Sequence, residues 1–310
     1  MGGPQSALDP AGIAAERIAG LFGWMAAGAV VVWLAVIVLA IYSIRAETEP
    51  HLKRRTTVLI IGGGAVLPTV VLAVLLAYGL ALLPDLVAPA PPGSLEIAVS
   101  GEQWWWRVRY LHPAGSEIEL ANELRLPVGK SVQLHLDSPD VIHSFWVPSL
   151  AGKVDMIPGR RNRLALQPTR TGIFRGACAE YCGTSHALMS FYVVVLPQAD
   201  FARWLARQGE PARSPSAPLA RRGQELFLAN GCGACHTVRG TPADGVVGPD
   251  LTHVGSRLSL GAGLLPNAPV HFRRWIARTE DVKPDVHMPA FGMLPPEDLR
   301  ALAAYLDALE

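Results

Sequence analysis

The sequence carries almost no net charge: 27 Lys and Arg stand against 26 Asp and Glu in 310 residues. With no excess of either sign and no basic stripe interleaved with aromatics, nucleic acid is excluded as a partner. There is no internal repeat. A basic segment followed by a cleavage site is also missing from the first twenty residues. Export is therefore expected to be directed either by the first apolar run itself or by a precursor since trimmed. Cysteine is scarce, but its four copies fall as two close pairs, Cys178/Cys182 and Cys232/Cys235, each followed by a histidine.

Charge is missing altogether from two long stretches. Between about Leu21 and Ile44 no charged residue occurs until Arg45, and between about Val58 and Leu83 none occurs until Asp85. Each run exceeds the roughly 20 residues needed to cross a hydrocarbon core. A soluble core helix would show polar residues every third or fourth position. The loop between the runs holds Arg45, Lys53, Arg54 and Arg55 against Glu47 and Glu49. Basic residues concentrated in a short loop mark the cytoplasmic side. The expectation is a helix hairpin with everything after Leu83 extracytoplasmic. Gly62-Gly63-Gly64 and Pro68 would break a soluble helix but are tolerated in a bilayer, where neighbouring helices re-satisfy the backbone.

Half of the chain is apolar, and its length is that of about two domains. After Pro89-Ala90-Pro91-Pro92-Gly93 the pattern turns to short alternating runs at Leu95–Val99, Ser131–Leu136 and Arg163–Leu166, with a compact β-branched run at Phe191–Leu196. Short strands between Pro/Gly turns predict an all-β sandwich or barrel. Pro211 to Pro218 reads as a linker. Leu219–Leu228, His271–Arg278 and Pro296–Leu309 have helical spacing, so the last ninety residues are expected to be all-α. The predicted division is 1–90 for the N-terminal segment and hairpin, 91–200 for the β domain, 201–217 for the linker and 218–310 for the helical domain.

Cys232-Gly233-Ala234-Cys235-His236 is the pattern of c-type haem attachment. Two thioethers hold the porphyrin edge and the adjacent imidazole becomes an iron ligand. A zinc site would want a second ligand pair at suitable spacing, and none follows. The sixth ligand should lie downstream. Met288, in His287-Met288-Pro289, is the first candidate, with Met293, His287 and His253 as rivals. Gly248-Pro249-Asp250-Leu251 resembles the loop that packs on the proximal histidine of small cytochromes c, and that resemblance favours Met288.

Between Cys178 and Met189 lie two thiols, an imidazole at His186 and a thioether, a soft-ligand set that selects copper. A mononuclear blue site uses one cysteine. Two cysteines four apart point to two coppers bridged by both sulfurs, with a second histidine supplied from elsewhere. His143 is the best candidate for it; His135 and His112 are alternatives.

With both motifs in place, the chain resembles subunit II of cytochrome c oxidase in the bacterial form that carries a fused cytochrome c, over essentially its whole length. The resemblance implies a two-helix transmembrane hairpin, a cupredoxin-like sandwich and a class I cytochrome c domain. It implies that Cys178 and Cys182 bridge the coppers, that His143 and His186 each bind one, and that Met189 and the Glu180 carbonyl are axial ligands. The Glu180 side chain would help hold magnesium at the interface with subunit I, which the Lys153–Arg160 loop would face. Gly101 to Trp106 is similar to the family's aromatic patch, placing Trp104 on the electron route; strand packing is the simpler role for it. One departure stands out: Ile61 occupies the place where family members often carry a glutamate at the mouth of a proton channel.

The implied function is electron intake. Electrons enter a haem, pass to binuclear copper, and leave for a catalytic haem–copper subunit that reduces oxygen to water while protons cross a bacterial inner membrane. Both sites are coordinatively filled, whereas a catalytic metal needs an open position, so oxygen chemistry belongs to a partner. The donor would be cytochrome c or a membrane-bound cytochrome complex. Fusion through a flexible linker would raise the effective concentration of the cytochrome at its acceptor. Rival readings are the corresponding subunit of a copper-containing nitric oxide reductase and a non-enzymatic electron-transfer or copper protein.

Overall fold

The computed structural model of the chain describes residues 5–45, 53–111 and 117–310. Two compact units emerge: residues 17–88, and residues 1–16 together with 89–310.

The smaller unit is helical. Helix α1 spans Ile13–Arg45, starting well before the predicted Leu21, because Ile13-Ala14-Ala15-Glu16-Arg17 are good helix formers that carry charge but break nothing. The second apolar run is helical in three pieces: α2 (Lys53–Val58), a wide π-helical stretch (Leu59–Val66) and α3 (Leu67–Val87). The π stretch coincides with the triple glycine, where no side chains hold the tighter α spacing. Ile61 lies inside it, half exposed. Arg17 Nη1 meets Asp85 Oδ2 at 2.6 Å, joining the far ends of the two runs. Both helices are long and apolar enough to cross a membrane. Of the loop between the runs, Glu47 and Glu49, the acidic residues set against its basic ones, lie outside the described residues.

The larger unit begins with a β-sandwich of ten strands: β1 (Leu95–Glu102), β2 (Trp105–Leu111), β3 (Glu117–Ala121), β4 (Glu123–Pro127), β5 (Val132–Asp137), β6 (His143–Trp146), β7 (Val154–Met156), β8 (Asn162–Leu166), β9 (Gly172–Cys178) and β10 (Ser190–Leu196). One sheet runs β3-β2-β1-β5-β8 and the other β4-β10-β9-β6-β7. Their inner faces share a core in which Trp106, Phe145 and Phe191 stack at 4.9 to 5.8 Å between centroids, each pair contributing about 0.5–1.5 kcal/mol beyond its buried area. The chain ahead of α1 is stitched to this sandwich: Ala11 N donates to Ser149 O at 2.6 Å, and Ala11 O accepts from Thr169 N at 2.8 Å.

Part of the segment expected as linker is helix α4 (Gln198–Gln208), whose Phe201 and Trp204 pack into the sandwich core. Three longer helices follow: α5 (Pro218–Ala229), α6 (Pro269–Ala277) and, after the four-residue α7 (Thr279–Val282), α8 (Pro296–Asp307). Each of the longer three starts with proline, which is suited to a first helical turn because it lacks the donor that would go unused there. Their core gathers Phe227, Phe272, Leu302 and Tyr305. The expected fold class holds.

Candidate metal centres

The β9–β10 connection carries the first cysteine pair at one end of the sandwich. Pairing of Phe145 with Cys178 brings β6 alongside, so His143 arrives from 35 residues upstream. Cys178 Sγ lies 3.8 Å from Cys182 Sγ and 3.8 Å from His143 Nδ1. Cys182 Sγ lies 3.5 Å from His186 Nδ1 and 3.9 Å from Met189 Sδ. The Glu180 carbonyl oxygen lies 3.2 Å from Cys178 Sγ. Both cysteines are free. Among the described residues, His143, Cys178 and Cys182 form a buried group whose ligand atoms all lie within 4.8 Å. All six residues expected at the copper site therefore converge, with the donor chemistry that suits soft metals.

Asp140 was not singled out by the sequence. Its Oδ1 is 2.8 Å from His143 Nε2, which leaves Nδ1 turned to the thiols, the usual arrangement for a ligating imidazole. The signal was an acid three residues ahead of the histidine. Burial opposes charge on His143, but its bonds to Asp140 and Cys178 outweigh that and lift its pKa to about 9. The hydrogen bond the two thiols share draws Cys178 well below an ordinary thiol and pushes Cys182 well above one. His135 sits elsewhere on β5, 3.4 Å from Glu96. His112 lies outside the described residues.

Trp104 is buried, and its indole Nε1 donates to Cys182 O at 2.9 Å, alongside a 2.8 Å bond from Gln103 Nε2. Gly183 permits this contact: its φ is +112°, and a Cβ there would stand 3.0 Å from the indole ring. The Glu180 carboxylate is half exposed and pairs with Lys153 at 3.3 Å.

In the helical domain, Cys232–Ala234 forms a single 3-10 turn, and His236 N donates to Cys232 O at 3.0 Å. His236 Nδ1 donates to Pro249 O at 2.8 Å, leaving Nε2 as the free ligand atom. A side chain at Gly248 would meet the imidazole at 2.5 Å, so glycine lets this loop lie on the ring. Burial depresses the pKa of His236 and keeps the imidazole neutral, as iron ligation requires. Met288 packs, half-buried, against the same core as Cys232. Its rivals are placed otherwise: Met293 is 77% exposed, His253 Nε2 is 3.0 Å from Glu210 O, and His287 is exposed beside Trp104, ring centroids 6.4 Å apart. Two free thiols, a neutral imidazole and a half-buried thioether suit a covalently held haem.

A cluster of soft ligands at the end of a β-sandwich, with a Cys-x-x-Cys-His helical domain behind it, has the donor sets of a two-domain metal-binding redox protein, and the chain carries two apolar helices besides. The family models say which: residues 111–196 match cytochrome c oxidase subunit II, periplasmic domain, and residues 220–310 match cytochrome c. Cytochrome c oxidase subunit 2 of Alkalihalophilus pseudofirmus is 37% identical over 214 residues, 69% of this chain and 61% of that one. The lancelet Branchiostoma floridae has a subunit 2 that is 36% identical over 157 residues, 45% of this chain and 68% of its own. The crystal structure of the periplasmic domain of subunit II of cytochrome oxidase from Bradyrhizobium japonicum is 32% identical, covers 38% of this chain and 96% of its own, and has a TM-score of 0.36. The chain belongs to the cytochrome c oxidase subunit II family. It spans 61 to 63% of the length of the bacilli-type relatives it matches.

Proposed function

We propose that this chain is the electron-intake subunit of a proton-translocating cytochrome c oxidase, held by two spans in a bacterial inner membrane with both metal domains on the extracytoplasmic side. Bound, a c-type haem and a thiolate-bridged copper pair would supply one-electron chemistry at two points of the larger unit. Cys232 and Cys235 would hold the haem covalently, with His236 and Met288 as its iron ligands. Cys178 and Cys182 would hold copper together with His143, His186, Met189 and the Glu180 carbonyl. Trp104 lies on the electron route between the two sites. Electrons come from cytochrome c or a membrane-bound cytochrome complex and go to a catalytic haem–copper subunit, where oxygen is reduced to water. The Glu180 carboxylate is the proposed magnesium ligand at the interface with that subunit.

The observation that carries this reading is the convergence of two thiols, two imidazoles and a thioether in one cluster, buried except for the half-buried His186, in a chain whose second domain presents Cys232, Cys235 and His236. Elemental analysis of the full chain, matured with both metals, should give two coppers and one iron. Iron without copper would overturn the intake role and leave a tethered cytochrome. Oxygen rather than nitric oxide consumption by the assembled complex separates this reading from a reductase.

A further inference from the structure

Among the described residues Lys283 is the one lysine sealed in the interior, 2% exposed, and the electron-intake reading gives it no task. It sits five residues before Met288. Among the described residues no carboxylate pairs with it. Its Nζ instead donates to the Trp104 carbonyl across the domain boundary, and to Gly261 O at 3.3 Å. A cation buried without a counter-charge is costly, so a position serving only to fill space would carry an apolar residue. Burial draws its pKa down to about 7; ammonium and neutral amine both offer at least two donors, so the contact does not depend on charge.

The contact has a direction. Lys283 holds the backbone of Trp104, whose indole holds the carbonyl of Cys182. Two hydrogen bonds thus connect the segment bearing Met288 to the backbone of Cys182, a residue of the proposed copper site. Neighbouring contacts close around them: Ser185 Oγ donates to Pro284 O at 2.6 Å, and Ser190 Oγ to Ala262 O at 2.8 Å. Resting on the intake reading above, we propose that Lys283 is a positioning residue, a clasp that seats the Met288 segment on Trp104 and so fixes the haem site relative to the copper site.

The test uses the full chain carrying both metals, as wild type, Lys283→Met and Lys283→Gln. In Lys283→Met, haem reduction by a small diffusing reductant and the thioether–iron absorption band should be unchanged. Transfer onward to copper should slow about tenfold or more, as small misplacements of reacting groups do. Amide exchange should rise together in residues 103–106 and 283–288, on both sides of the boundary. Lys283→Gln, which keeps a donor, should recover part of the rate, and it carries the same measurements if the methionine variant does not mature. Transfer at the wild-type rate in Lys283→Met overturns the proposal. So does exchange that rises on the cytochrome side alone, which would make the lysine a support of its own domain. Should the wild type hold no copper, the intake reading fails, and the exchange pattern alone still judges the clasp.

Discussion

At the proposed copper site, two protons stand in the way of a metal. Cys182 keeps its proton because Cys178, the other half of the coupled pair, holds the negative charge. His143 keeps one because Asp140 and Cys178 outweigh the penalty of burial. Copper needs thiolates and neutral imidazole, so loading at pH 7 should release about two protons per chain. Calorimetry in buffers of different ionisation enthalpy reads that number directly, and a release near zero would contradict the arrangement. The same groups set a pH dependence for the metal-free chain. The folded pKa of His143 lies above its ordinary 6.5, so its stabilising contribution is complete below about 6.5 and fades as pH rises through about 9. Asp140→Asn should flatten thermal stability of the metal-free protein across that window, while leaving the two thiols in place. The ligands themselves were legible from residue type and spacing. Asp140 and Lys283 were not, since their roles depend on which atoms they face across the fold.

Among the elements, α5 and α8 carry the helical domain, and Gly223 is where they meet. A Cβ on Gly223 would lie 2.0 Å from Ala301 O and 2.7 Å from Tyr305 Cβ, both on α8. Neither atom can retreat unless the two helices move apart and loosen their packing, so Gly223→Ala should cost about 1–3 kcal/mol. Melting of the haem absorption should fall by at least about 5 °C, with the copper bands unmoved. An unchanged melt would mean that the helices separate more easily than their packing implies. These helices were readable because their apolar residues recur every three or four positions. Helix α4 has the same signal in Phe201, Trp204 and Leu205, but the Pro/Ser-rich sequence that follows it masks that signal. Strand β2 alternates buried Trp106, Val108 and Tyr110 with outward Arg107 and Arg109, a strand pattern overlaid by the aromatic run Trp104-Trp105-Trp106. Order within the sheets was out of reach. Placing β6 beside β9, which delivers His143, is a long-range pairing that periodicity does not encode.

For the whole molecule, the expectation of a flexible tether gives way to a seated domain. The connecting chain is itself pinned: Ala212 N donates to Arg239 O at 2.8 Å, and Arg239 Nη2 to Gln208 O at 2.6 Å. Across the boundary run Leu258 N to Glu123 Oε2 at 2.8 Å and Arg107 Nη2 to Val246 O at 3.1 Å, besides the Lys283 and serine contacts. Among the described residues no ion pair joins the two domains; the junction is built of hydrogen bonds and buried surface. Salt screens exposed charges over roughly 10 Å at 0.1 M and shorter distances at higher concentration, but it barely touches contacts of this kind. Transfer from haem to copper should accordingly be first-order, independent of protein concentration, and constant within about twofold between about 0.01 M and 1 M salt. Reduction of the haem by a separate, oppositely charged cytochrome should slow steeply over the same range, because that step depends on steering between exposed charges. Flash reduction of the full-length chain at graded salt separates the two steps. A haem-to-copper rate that falls with salt would mean that the cytochrome domain leaves its seat and returns through the solvent, and that the tether, rather than the docked surface, sets the pace.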